Sequence, residues 1–169
     1  MKNKKVNSFG SAHVCAIGEH YVMARLLANE FLVGIPPTNT KIVDFIAVSQ
    51  DGKKSVQIQV KTRTEGRSKD WPMWEKHEQI LQPNLYYVFV SLPEKWADDN
   101  QPETFVIPSN KVAQILKQSH GDWHTTPGAK GQQRNNTKMR RIRPKYPDSP
   151  SIPENWMEEF RDNWQLLSE

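Results

Sequence analysis

The stretch Ile42-Val-Asp44-Phe-Ile-Ala-Val48-Ser-Gln50-Asp51-Gly52-Lys53-Lys-Ser55-Val-Gln57-Ile-Gln59-Val60-Lys61-Thr62 decides the fold. Two apolar-rich runs, Ile42–Val48 and Ser55–Thr62, flank Asp51-Gly52. Asp-Gly between such runs predicts a β-hairpin, because a type I′ turn needs positive φ at both central residues. With the turn centred between 51 and 52, Gln50 faces Lys53, Val48 faces Ser55, Ile46 faces Gln57 and Asp44 faces Gln59. Opposed residues share one face, about 4.5–5.5 Å apart at Cβ. Lys61, two residues beyond Gln59, points the same way. An acid, a carboxamide and an amine therefore gather in one patch. An ordinary cross-strand polar cluster has this composition. So does a site that holds a divalent metal beside a phosphodiester.

Working outward, the second arm alternates Val56, Ile58 and Val60 with Gln57, Gln59 and Lys61, the period of a half-buried strand. The first arm is apolar on both faces apart from Asp44, which suits a central strand. Ser11–Phe31 reads as a helix with Ser11 as N-cap and Cys15, Val22 and Leu26 on its apolar stripe. Glu19 falls inside that stripe and needs a partner there. Phe31–Ile35 reads as a short strand closed by Pro36-Pro37. Thr62–Gln82 is polar and irregular, Leu85–Leu92 is a buried strand, and Pro93–Pro102 is a loop. Thr104–Ile107 is a short strand leading into a helix from about Asn110 to Gln118. This order indicates an α/β chain with a central sheet flanked by helices.

The C-terminal third differs. From Trp123 to Pro147 there is no acidic residue, while Lys130, Arg134, Lys138, Arg140, Arg141, Arg143 and Lys145 are basic. Such a run is a solvated loop or a surface for backbone phosphates. Trp71, Trp74 and Trp123 are packing residues by default and base-stacking candidates beside a phosphodiester site. Asp148–Pro153 reads as a spacer. Asn155–Leu167 reads as an amphipathic helix with Trp156, Phe160, Trp164 and Leu167 on the face that packs on the core.

The chain has 169 residues, 36% apolar and 25% charged, with net charge +4, enough for one domain with a real core. The single Cys15 excludes an intramolecular disulfide, argues against cysteine-held zinc and fits a small core position in a reducing compartment. No stretch reaches the roughly 20 apolar residues of a membrane span, so a cytoplasmic location is expected. No histidine pair has metal spacing and no phosphate loop occurs, so His13, His20, His77, His120 and His124 stay unassigned.

Gly18-Glu19 on the first helix, Asp44 at a strand and Gln59-Val60-Lys61 on the next together resemble the PD-(D/E)XK, restriction-endonuclease-like nuclease superfamily. The tract Ser55–Thr62 is similar to bacterial members with a Gln-x-Lys motif. The resemblance spans roughly residues 11–118, and Thr126-Pro-Gly-Ala-Lys-Gly131 also looks like the tail of such proteins. Two positions depart from the pattern. Val43 stands where proline is common, and Gln59 replaces the second acid, bringing an oxygen ligand without charge.

The resemblance implies an αβββαβ-type core over 1–122, followed by a basic, proline-rich loop segment, 123–153, and a C-terminal helix, 154–169, in one domain. It further implies Mg²⁺ or Mn²⁺ held by Asp44, Glu19, the Gln59 side chain and the Val60 carbonyl. Lys61 would act on the attacking water, and hydrolysis would leave a 5′-phosphate and a 3′-hydroxyl. Nucleic acid, DNA first, is the expected partner, and a homodimer is compatible with the amphipathic C-terminus. The competing expectation is an inactive nucleic-acid-binding or interaction module on the same fold.

Overall fold

The hairpin forms the middle of a five-stranded sheet flanked by helices. The structure is a computed structural model describing residues 9–37, 40, 42–95 and 100–169. Met1–Lys5 and residues 96–99 of the expected 93–102 loop lie outside the described residues. The elements are α1 (Ser11–Ala28), β1 (Leu32–Gly34), β2 (Phe45–Val48), β3 (Ser55–Thr64), β4 (Trp71–Trp74), β5 (Leu85–Leu92), β6 (Glu103–Pro108), α2 (Ser109–Thr125) and β7 (Met139–Ile142). The sheet order is β1-β2-β3-β5-β6. β3 and β5 run parallel and the other pairs antiparallel, which makes the sheet mixed.

The crossover joining β3 to β5 holds β4 and a 3-10 turn, Glu75–Gln79, so Thr62–Gln82 is more ordered than its polar composition suggests. The second α-helix follows β6 rather than filling that crossover. α2 is also longer than expected, running on to Thr125.

Each face of the sheet carries its own core. Val56, Ile58 and Val60 of β3 pack with Val14, Val22 and Leu26 of α1 on one side. Tyr87 and Phe89 of β5 pack with Trp71, Val112, Ile115 and Leu116 on the other. The buried stripe of α1 is Val14, Gly18, Val22 and Leu26. Cys15 is exposed, which corrects its reading as a core residue. The N-cap is Gly10, not Ser11, and the helix stops three residues before Phe31. Glu30 adopts φ 63°, and Phe31 N–H returns to Leu26 O at 3.1 Å, the closing pattern of a Schellman motif. That turn drops Phe31 into the core.

The C-terminal segment is not an α-helix. It makes 3-10 turns at Glu158–Phe160 and Trp164–Leu167. All four residues of the expected apolar face are nevertheless buried. Trp156 and Phe160 join the α2-side core, whereas Trp164 and Leu167 join the α1-side core. One helix face cannot serve both sides of a sheet, so the chain instead straps across the β6 edge. Asp162 N–H donates to Thr104 O at 2.8 Å, and Arg161 bridges Phe105. The strap covers an edge that would otherwise be free to pair.

Candidate active site

The hairpin has the register read from its sequence, with Phe45 opposite Ile58, Ile46 opposite Gln57, Ala47 opposite Val56 and Val48 opposite Ser55. Its turn is different. Only Gly52 has positive φ (71°), so the loop is not type I′. Gly52 N–H donates to Ser49 O, and Ser49 N–H donates to Lys54 O, which closes a four-residue loop. Ser49 Oγ accepts from Lys54 N–H and Asp51 Oδ1 from Lys53 N–H, satisfying the loop locally.

At the far end of the hairpin Asp44 lies just outside β2, and its N–H donates to Ile58 O at 2.8 Å, so its backbone meets Ile58 rather than the Gln59 expected from the register. Asp44 Oδ2 then accepts from Gln59 Nε2 at 2.5 Å and from Val60 N–H at 2.7 Å. Within a strand the N–H and C=O of one residue point to the same side. The Val60 carbonyl therefore also faces the side where β2 has ended. Ile42, two residues before Asp44, has φ 75°. A β-branched residue pays roughly 1–3 kcal/mol for such a backbone, and the bend turns the chain out of the ladder just before Asp44.

Phe45 and Ala47 face α1, so alternation sends Ile46 to the other face with Gln59 and Lys61, and Asp44, just before β2, meets Gln59 through its side chain. Gln59 is 8% exposed and Ile46 39% exposed. The α2-side face is thus open over β2 and becomes buried at β5, leaving Asp44 and Lys61 on a shelf at the boundary. Burial lowers the Lys61 amine below its ordinary value, and the charge of Asp44 opposes that shift. Glu19 comes from α1 on the other face. Its carboxyl is raised chiefly by burial and next by Asp44, so the two carboxylates lie within electrostatic reach. Burial and Glu19 also raise the Cys15 thiol, placing this cysteine at the margin of the cluster.

Gly18 sets the approach of α1. A Cβ there would lie 1.9 Å from Thr62 Oγ1 on β3. The helix can lie close enough to deliver Glu19 only without that side chain.

His77 is a residue the sequence reading passed over. It lies in the 3-10 turn at Glu75–Gln79, is 3% exposed, and its Nδ1 is 2.7 Å from Tyr87 Oη. Burial, with Lys61 and Lys76 adding to it, pushes its pKa down to about 4, so the ring is neutral near pH 7. The only signal in the sequence was its position between two aromatic-rich segments.

The donor set around Asp44 fits a small hard cation in kind: two carboxylates, a carboxamide oxygen and a backbone carbonyl are all oxygen ligands. It is light in charge, because among the described residues no group of three His, Cys, Asp or Glu side chains converges.

The basic run is not a uniform loop, since it contains β7, which pairs with β4 from Trp71↔Ile142 to Trp74↔Met139. Arg140 is 6% exposed and ion-paired with Glu78. Arg141 donates to both Asp70 oxygens at 2.9 and 3.0 Å, and Arg143 lies 3.6 Å from the same carboxylate. Lys145 pairs with Glu154 at 3.1 Å, and the Arg134 guanidinium lies 5.1 Å from the centre of the Trp123 ring. Lys130 and Lys138 are exposed. Trp71 is buried and belongs to the core.

Among the described residues no helix is long and apolar enough to cross a membrane. No protein-family model matches the chain, and no curated protein matches it significantly. Among solved structures, the bacterial homing endonuclease I-Ssp6803I is similar to this chain over 94% of this chain's length and 92% of its own, with 11% identity and a TM-score of 0.49.

Proposed function

We propose that this chain is a metal-dependent endonuclease of the PD-(D/E)XK type, hydrolysing phosphodiester bonds in nucleic acid, DNA before RNA. The observation that carries the reading is the arrangement at the end of the hairpin. One Asp44 oxygen is anchored by Gln59 and Val60, with Glu19 and Lys61 inside its electrostatic field. Anchoring Oδ2 leaves Oδ1 and the Glu19 carboxylate to hold Mg²⁺ or Mn²⁺, helped by the Gln59 and Val60 oxygens. A cation held there supplies a water of lowered pKa and offsets charge on the phosphate. Lys61, desolvated and within the field of both acids, would orient the attacking water against the phosphate. The bond broken is P–O3′, leaving a 5′-phosphate and a 3′-hydroxyl. The Lys130–Lys145 cations would contact the strand backbone.

The competing reading is a binding module without catalysis on the same fold. It is favoured by one feature, that Gln59 adds no charge and uses its amide on Asp44.

Asp44→Asn separates the two. It keeps an acceptor for the Val60 amide and removes the charge. Calorimetric titration with Mn²⁺ is expected to show one site in the wild type and none in Asp44→Asn. Cleavage is expected to fall by about 10²-fold or more in both Asp44→Asn and Lys61→Met. Unchanged cleavage in both variants would end the enzymatic reading.

A further inference from the structure

Away from the hairpin, the last turns of α2 and the strand β7 enclose a pocket of about 260 Å³. Ser119, His120 and Trp123 form one wall, Met139, Arg140, Arg141 and Arg143 the other, and Tyr146 closes an end. Its charge and its rings are both ordered. Arg140 forms the floor, neutralised by Glu78. Arg141 and Arg143 stand at the rim and share a single acid, Asp70, so the rim keeps a surplus positive charge. His120 stacks on Trp123 with ring centres 5.4 Å apart and an interplanar angle of 28°. Asn136 Oδ1, 2.9 Å from His120 Nε2, fixes the imidazole. Arg134 also lies over the Trp123 ring but is not part of the pocket wall, so it braces the indole from outside. Tyr146 Oη accepts from Arg143 N–H at 3.0 Å and donates to Arg141 O at 2.7 Å, which locks its ring in place.

A pocket lined with aromatic rings and rimmed with arginines suits a planar ring that carries an anion. Arginine at the rim matches a phosphate, and the rings match a base. The volume lies just under the roughly 300 Å³ at which pockets for drug-sized ligands begin, which suits one base rather than a base pair. We propose that this pocket captures a single unpaired nucleotide of a nucleic-acid strand, its base against the His120–Trp123 wall and its phosphate at Arg141 and Arg143. The inference rests on the proposed function for the nature of the polymer. It assigns the protein a preference for strands with an unpaired or extruded base, which the hairpin cluster does not specify.

The test uses the full chain in a chelator, so that binding is read without cleavage. Fluorescence anisotropy follows a labelled single-stranded oligonucleotide and the matching duplex. Trp123→Ala and Arg143→Ala are each expected to weaken single-strand binding about tenfold, the size of one stacked base or one lost phosphate partner, and to weaken duplex binding less. Trp123→Phe should restore most of the loss, which separates stacking from misfolding. A nucleoside monophosphate should compete with the oligonucleotide for the wild type and not for Arg143→Ala. Equal losses on single strand and duplex, or no loss in either variant, would overturn the pocket. If the wild type never cleaves yet the pocket variants lose single-strand binding, the nuclease reading fails and the pocket stands. Cleavage with unaltered binding in the pocket variants gives the reverse result.

Discussion

The end of the hairpin and the β7 segment are both charge clusters, and they are built in opposite ways. At the hairpin an acid is held by uncharged donors, the Gln59 amide and the Val60 N–H, from 15 and 16 residues away. At β7 most of the charge is answered from within. Arg140 meets Glu78 across 62 residues, and Arg141 meets Asp70 across 71. The difference teaches that a run of like charge in a sequence does not reveal how much of that charge faces outward. Partners brought in by the fold decide it, and here they tie three of the seven basic residues to acids of the crossover.

The comparison breaks most readily at Glu78. Glu78→Ala leaves Arg140 buried without its partner and is expected to cost about 3–5 kcal/mol in denaturant unfolding. A cost below about 1 kcal/mol would mean that Arg140 is not a staple and that the two clusters are alike. The hairpin end is tested next through its scaffold rather than its charges. Gly18→Ala puts a methyl group into Thr62, with an expected loss of about 1–3 kcal/mol. It should also weaken Mn²⁺ binding by moving Glu19 away from Asp44, while a distant core variant of equal destabilisation should not. Equal Mn²⁺ affinity in the two would detach Glu19 from the site.

The smallest effect expected is that of His77. Its folded pKa of about 4 lies below the ordinary value of 6.5. The unfolded chain therefore binds the extra proton first, and stability is full above about pH 6.5 and declines as pH falls toward 4. Between pH 7 and 5 the wild type should lose about 1–2 kcal/mol more than His77→Gln. Parallel pH profiles for the two proteins would show that burial of His77 does not hold its ring neutral.

How much was legible in the sequence followed the distance over which each contact forms. The register of the hairpin could be read because its partners are joined by one short loop and its side chains alternate strictly. The kind of turn could not, because Asp51 can meet its loop with local side-chain bonds and no positive φ. The stripe of α1 was read correctly at Val22 and Leu26, but its first turn was assigned to Cys15 instead of Val14. Cys15 is as small and apolar as Val14, and only the approach of Thr62 to Gly18 chooses between them. At the C-terminus the buried set Trp156, Phe160, Trp164 and Leu167 was identified correctly, but the period was read as helical. Those residues serve two faces of the sheet, which no local pattern records.

By itself, then, the sequence determined the hairpin, the register of its paired strands, most of the buried apolar residues and the α/β architecture, because each depends on hydrophobic burial and neighbouring backbone geometry. Only the tertiary structure decided which charges are paired, which side of α1 meets β3, and that Asp44 hands one oxygen to the hairpin while Glu19 comes to it from the opposite face. Those outcomes depend on groups tens of residues apart, and the electrostatic energy that selects them exists only once the chain has brought them together.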